Sequence, residues 1–222
     1  KLNNLCNLKC RMCHPMDSTS WNDWGEIKEF YKKENNIMFD IVEEHDLENK
    51  PFLDKFQDSP EWWASLEQNL PHFRRVEFAG GEPLLIPEHY NILKFMVESG
   101  HSKNCILRYN SNGTEISDEL LELWTHFKLV KFNFSIDAYG EKNEYIRYPT
   151  KWNTITENLH KLDNTPDNVV VNIACAVQAL NVLYLDELVD WKMNQNFKKI
   201  NTKEYGAGVI GLHLVYLPSY MN

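Results

Sequence analysis

From residue 74 onward the chain alternates short apolar runs with amphipathic ones, and the alternation predicts the elements. "RRVEFAGG" reads as a strand, followed by a helix over "PEHYNILKFMVESG" that Gly100 ends. "NCILRYNSNG" is a strand, and "SDELLELWTHF" a helix with Ser117 as its N-cap. "LVKFNFSIDA" and "WNTITENLHKL" repeat the pair, as do "NVVVNIACAVQ" and "LDELVDWKMNQ". "GVIGLHLVYLP" closes as a strand. Upstream the pattern is mixed: helices are expected over 24–36 and 60–70, the second opening on Ser59 before Pro60. The segment "IVEEHDLENKPFLDKF" reads as an insertion or lid.

Strand–helix alternation with crossovers of this length means a parallel sheet with helices outside it. A sixth strand is expected in the first few residues, leading into Cys6. The expected fold is therefore α/β, a partial (β/α)6 TIM-type barrel, with an open doubly wound sheet as the alternative. In both, chemistry gathers at the C-terminal strand ends.

The alternation inside strands favours a barrel with a polar interior. Phe132, Phe134 and Ile136 share one face, and Asn133, Ser135 and Asp137 the other. Arg108, Asn110 and Asn112 line up, as do Asn172 and Gln178. A fully packed parallel strand is apolar on both faces, so polar stripes on neighbouring strands point to a cavity for a polar ligand. The plain alternative for any one of them is a strand end facing water.

Composition adds bounds. Over 222 residues, 43% are hydrophobic and 25% charged, as expected for one sizeable soluble domain. No run approaches the roughly 18 apolar residues of a membrane span. A net charge of −9 argues against a general nucleic-acid-binding surface. Five cysteines, three clustered and two isolated at Cys105 and Cys175, do not read as a disulfide framework, so a reducing cytoplasm is expected. The chain opens abruptly on a motif and is expected to extend further N-terminally.

That motif, "CNLKCRMC", spaces Cys6, Cys10 and Cys13 as C-x3-C-x2-C. Three thiolates in one loop can hold three corners of a [4Fe–4S] cluster and leave one iron open. Zinc would use the same cysteines and His14, but there is no second ligand pair, and His14 adjoins Cys13. Iron–sulfur is favoured, with zinc and coincidence still open. One β/α unit later, "FAGGEPLL" supplies two glycines that permit close backbone approach and a carboxylate, Glu82, at a strand's C-terminal edge.

Together these motifs resemble the radical S-adenosylmethionine (radical SAM) superfamily. "CNLKCRMC" is similar to its cluster loop and "GGEP" to its second-strand motif. "YNSNGT", "SIDA" and "EYIRYPTKWNTITENLHKL" follow in the order of its SPASM/twitch branch. The resemblance covers about residues 4–218. Met12 stands where the family often has an aromatic residue, and the insertion at about 16–70 looks long.

The resemblance implies that Cys6, Cys10 and Cys13 ligate the cluster, whose open iron is chelated by S-adenosylmethionine. It implies that Glu82, with backbone of Gly80 and Gly81, accepts from the cofactor's amino group. Arg147 would face its carboxylate, the plain alternative being a surface salt bridge. Ser135 and Asp137 would contact the ribose and amino-acid portions, though Asp137 could instead cap a loop. Asn112 and Gln178 are further candidates on neighbouring strand ends.

The implied activity is reductive cleavage of S-adenosylmethionine to a 5′-deoxyadenosyl radical that abstracts hydrogen from a substrate. The substrate is a peptide or protein side chain foremost, with a nucleotide or small metabolite as the rival. The implied partner is an external one-electron donor of flavodoxin or ferredoxin type. The chain would be the radical SAM core domain, and a twitch or auxiliary-cluster region would need cysteines beyond residue 222. The alternative from another class is a zinc-stabilised α/β binding protein. His213 could face the lumen or sit in a core. Trp21, Trp24, Trp62 and Trp63 are expected to anchor helix packing.

Overall fold

The computed structural model describes residues 2–14, 17–21, 23, 59–200 and 210–215. The element order from residue 60 is α1 (Pro60–Asn69), β1 (Arg75–Phe78), α2 (Pro87–Glu98), β2 (Ile106–Ser111), α3 (Asp118–Thr125) and β3 (Leu129–Ser135). Then come α4 (Glu141–Ile146), α5 (Trp152–Asp163), β4 (Val169–Val177), α6 (Leu185–Met193) and β5 (Ile210–Leu214). The expected helix over 24–36 and the segment "IVEEHDLENKPFLDKF" lie outside the described residues, as does Trp24.

The expected caps form. The Ser59 hydroxyl accepts from the Trp62 N–H, and the Ser117 hydroxyl from the Leu120 N–H, each satisfying a free donor of a helix's first turn. Gly100 follows α2 at φ 76°, a conformation that costs a side-chain-bearing residue.

The five strands form one sheet in the order β1-β2-β3-β4-β5, every neighbouring pair parallel. Sequential order with right-handed crossovers puts all the connecting helices on one face. That face is the core. Leu107, Tyr109, Phe132, Phe134, Ile173 and Cys175 point into it and are fully buried, with Leu93 and Met96 of α2, Trp124 of α3 and Leu159 of α5. Burying each large apolar side chain stabilises by about 1.5–3 kcal/mol, which fixes the strand register.

The opposite face stays polar, as the alternation predicts. Along β4 the odd positions are buried and the even ones, Asn172 among them, half-buried. The sixth strand is not found: residues 2–5 are not in a strand. Their carbonyls serve other ends, that of Leu5 accepting from the Glu82 N–H at 2.6 Å and that of Asn4 from the Thr19 N–H at 3.0 Å. Cys105 and Cys175 are buried free thiols, as expected.

Candidate functional site

The cysteine loop is tied to strand-end segments from three sides. On the β1 side, the Glu82 N–H reaches the Leu5 carbonyl. Gly81, at φ 55°, makes this approach possible, because a Cβ there would lie 2.4 Å from the Leu5 carbonyl oxygen. On the β2 side, Asn112 Nδ2 donates to Asn7 Oδ1 at 2.9 Å and approaches Cys6 Sγ at 3.8 Å. Asn7 in turn donates to the Thr114 hydroxyl at 2.9 Å. On the α4 side, the Lys9 N–H donates to the Tyr148 carbonyl at 2.6 Å and the Arg11 N–H to the Ile146 carbonyl at 2.8 Å. The Ser18 hydroxyl closes the loop from within by donating to the Leu8 carbonyl.

All five cysteines are free thiols, so no disulfide holds the loop. Cys10 is buried, and Cys6 and Cys13 are half-buried. A hydrogen bond from the Cys13 thiol, opposed by burial and helped by Arg147, holds Cys10 below the usual thiol range. That shared proton raises Cys13, and burial raises Cys6. Three soft sulfur donors in one loop fit an iron–sulfur cluster. Among the described residues no three His, Cys, Asp or Glu side chains gather where one metal ion could be held. His14 lies instead 3.6 Å from the Asp17 carboxylate.

Glu82 is held from within the protein. Its carboxylate is 1% exposed and engaged within the protein, with Oε1 accepting from the Ser111 hydroxyl at 2.7 Å and the Leu84 N–H at 3.1 Å. Oε2 accepts from the Asn112 N–H at 2.6 Å. Burial raises its pKa against these bonds. Glu82 thus joins the "GGEP" turn to the end of β2 and fixes the residue that holds Asn7. Gly80 and Gly81 adopt φ 86° and 55°, and the close approach that Gly81 permits is to the Leu5 backbone.

Asp137 and Arg147, both expected on the cofactor, are committed to each other. Arg147 Nη2 donates to Asp137 Oδ1 at 3.1 Å, and Nε lies 2.7 Å from Oδ2 without hydrogen-bond alignment. The Ala176 N–H also donates to Asp137 Oδ1, at 2.8 Å. The Asp137 side chain is 0% exposed and that of Arg147 12%, so the pair is not a surface salt bridge, and Asp137 Oδ2 is left without a hydrogen bond. The pairing follows from proximity: α4 brings Arg147 back over the end of β3, and a buried carboxylate takes the nearest guanidinium. Burial opposes the Arg147 charge, but Asp137, Cys10 and Cys13 more than offset it and raise its pKa.

The other candidates face the same region. Ser135, at the end of β3, is half-buried on the polar face. Gln178 is buried after β4, donating to the Ala176 carbonyl at 3.3 Å while its Oε1 has no partner. His213 pairs in register with Ala176 and so shares the polar face. The signal for it was present in the alternation of "LHLVYLP". No sequence signal pointed to Asn181, whose Nδ2 donates to the carbonyls of Asp137 and Ala176 and ties the loop after β3 to β4.

Known proteins share this fold. A structure of Streptococcus suis SuiB bound to S-adenosylmethionine superposes with a TM-score of 0.54 at 13% identity, over 99% of this chain and 41% of that one. The same protein bound to the precursor peptide SuiA gives 0.52 at 13%, over 99% and 39%. Native anSMEcpe with bound S-adenosylmethionine gives 0.56 at 16%, over 96% and 50%. The chain thus spans half or less of the length of these structures. No curated protein matches by sequence. The family model described as the radical SAM superfamily matches residues 1–176. With that match over most of its length, the three-cysteine loop at the strand ends and the parallel sheet beneath it, the chain belongs to the radical SAM superfamily, whose cofactors are a [4Fe–4S] cluster and S-adenosylmethionine.

Proposed function

We propose that this chain is the core domain of a radical SAM enzyme, with Cys6, Cys10 and Cys13 as the ligands of a [4Fe–4S] cluster. When bound, the cluster and S-adenosylmethionine supply reductive cleavage to methionine and a 5′-deoxyadenosyl radical that takes hydrogen from the substrate. The observation that carries the reading is the three-sided anchoring of a thiol-only loop at the sheet's polar edge.

The chain's own residues orient and shield. Glu82 fixes the Asn112 backbone, and Asn112 fixes Asn7 and borders Cys6. Asn112, Ser135 and Gln178 are the cofactor contacts we favour, since each is a polar group at a strand end on this side of the sheet. Gln178 Oε1 is a buried acceptor awaiting a donor. Glu82 keeps acceptor capacity on Oε2 toward the cofactor's amino group, beside the Gly80–Gly81 turn. Arg147, held by Asp137, sets a positive charge beside Cys10 and within reach of a carboxylate.

The substrate we favour is a peptide or protein side chain. The polar sheet face supports this, and so does the likeness to SuiB, which has been seen with a precursor peptide. We assign the chain to the SPASM/twitch branch on its "YNSNGT", "SIDA" and "EYIRYP" segments. The remaining assignments are a helical or lid-like insertion at about 16–70, most of which lies outside the described residues, a flavodoxin- or ferredoxin-type donor and a cytoplasmic location. Among the described residues no helix is long and apolar enough to cross a membrane.

Anaerobic reconstitution with iron and sulfide tests the ligand set. The unaltered chain should turn brown and bind about four irons, as one cubane requires, and Cys10→Ala should stay colourless while keeping its circular dichroism. Stoichiometric zinc in place of iron would favour the binding-protein alternative.

A further inference from the structure

The parallel register sets three asparagines side by side in the middle of the sheet: Asn110 of β2 pairs with Asn133 of β3, and Asn133 with Asn172 of β4. All three lie on the polar face. Mid-strand positions of a parallel sheet are ordinarily apolar on both faces, and three neighbouring carboxamides there need a reason. They do not satisfy one another. Asn133 Nδ2 donates to Asn110 Oδ1 at 3.0 Å, but the buried Asn172 Oδ1 has no hydrogen-bond partner. A buried acceptor left unpaired costs about 1–3 kcal/mol, a cost that an incoming donor removes.

The row's neighbours define what fits. One side-chain layer toward the strand ends, about 7 Å along the strands, lie Ser135 and Asn112, the latter bonded to Asn7 of the cysteine loop. One layer the other way, the charges begin: Arg108 is 3.6 Å from the Glu77 carboxylate, and Lys131 stands beside Arg108 in the register. The row between is neutral, with donors and acceptors on one line.

We propose that Asn110, Asn133 and Asn172 receive the backbone amides of an extended, uncharged stretch of peptide substrate. This deepens the reading above and rests on it for placing the substrate on this face. A peptide N–H is the donor that Asn172 Oδ1 lacks, and a peptide carbonyl accepts from a carboxamide NH2 in the same row. An ester-linked chain of the same shape cannot donate.

The test is a side-chain amide NMR titration of the reconstituted, oxidised chain with asparagine labelled. The probes are N-acetyl-triglycine amide, its ester-linked counterpart and adenosine. The amide probe should shift the Asn110, Asn133 and Asn172 signals saturably, with the ester at least about fivefold weaker. Asn172→Leu should weaken the amide probe similarly, and Asn172→Asp, which keeps the acceptor, should retain it. Equal response to amide and ester, response to adenosine alone, or no response of the three signals would each overturn the proposal. The amide-versus-ester comparison on the unaltered chain decides the matter even if a variant does not fold. Assaying 5′-deoxyadenosine on the same sample separates the two readings: titration without cleavage would count against the proposed function alone, and cleavage without titration against the asparagine row alone.

Discussion

Cys10 and Arg147 stand opposite each other. The amides on either side of Cys10, those of Lys9 and Arg11, donate to the carbonyls on either side of Arg147, those of Tyr148 and Ile146. Arg147 also reaches back to Asp137 at the end of β3. The cysteine loop, the α4 turn and the sheet are thereby one connected unit, with a buried positive charge beside the thiols.

Removing that charge strands its partner. Arg147→Leu leaves the Asp137 carboxylate buried without a cation, and a loss of about 3–5 kcal/mol is expected on breaking such a pair. Arg147→Lys keeps the charge but loses the Nη2 bond to Asp137 Oδ1 and should cost less. Denaturant unfolding of both variants checks the order.

Gly81→Ala places a methyl 2.4 Å from the Leu5 carbonyl oxygen at a positive φ. A strained, clashing position of this kind costs on the order of 1–3 kcal/mol. The expected outcome is a folded sheet with a displaced cysteine loop, seen as an unchanged far-ultraviolet spectrum and a marked drop in iron per chain.

Acid should destabilise the fold through two buried groups. Burial pushes His89 down to about 3, so it stays neutral when folded, whereas an unfolded chain protonates it below about 6.5. Stability is lost as pH falls from there toward the folded value. Asp163 acts in the same direction at lower pH. Burial would raise it, yet the N–H groups of Lys198, Lys199 and Ile200 prevail and hold its pKa below the ordinary carboxylate value. Its contribution is present above the unfolded pKa and vanishes as pH falls through the folded one. Thermal melts across this range should show His89→Gln flattening the upper part of the decline and Asp163→Asn the lower part.

Much of this architecture was legible in the chain. The apolar face of β3, Phe132 and Phe134, and the opposed Asn133 and Ser135 follow from a period of two, and Ser59, Ser117 and Gly100 mark helix ends by local chemistry. What could not be read depends on partners distant in sequence. Glu82, Asp137 and Arg147 carry the family resemblance, and it was the resemblance that implied their cofactor contacts. The fold shows that Glu82 meets Ser111 and Asn112, and Asp137 meets Arg147, which no local pattern encodes. A strand was expected in the first residues, leading into Cys6, but their backbone bonds go to the "GGEP" turn and to Thr19. The asparagine row was half visible. Asn110, Asn133 and Asn172 each lay on a polar stripe, and only the register between strands aligned the three.

The central claim is that the three-cysteine loop supports radical S-adenosylmethionine chemistry. Its most direct test is anaerobic incubation of the reconstituted chain with dithionite and S-adenosylmethionine, followed by an assay for 5′-deoxyadenosine. The account predicts 5′-deoxyadenosine that disappears in Cys6→Ala, Cys10→Ala and Cys13→Ala. Cleavage that persists in an iron-free cysteine variant would contradict it.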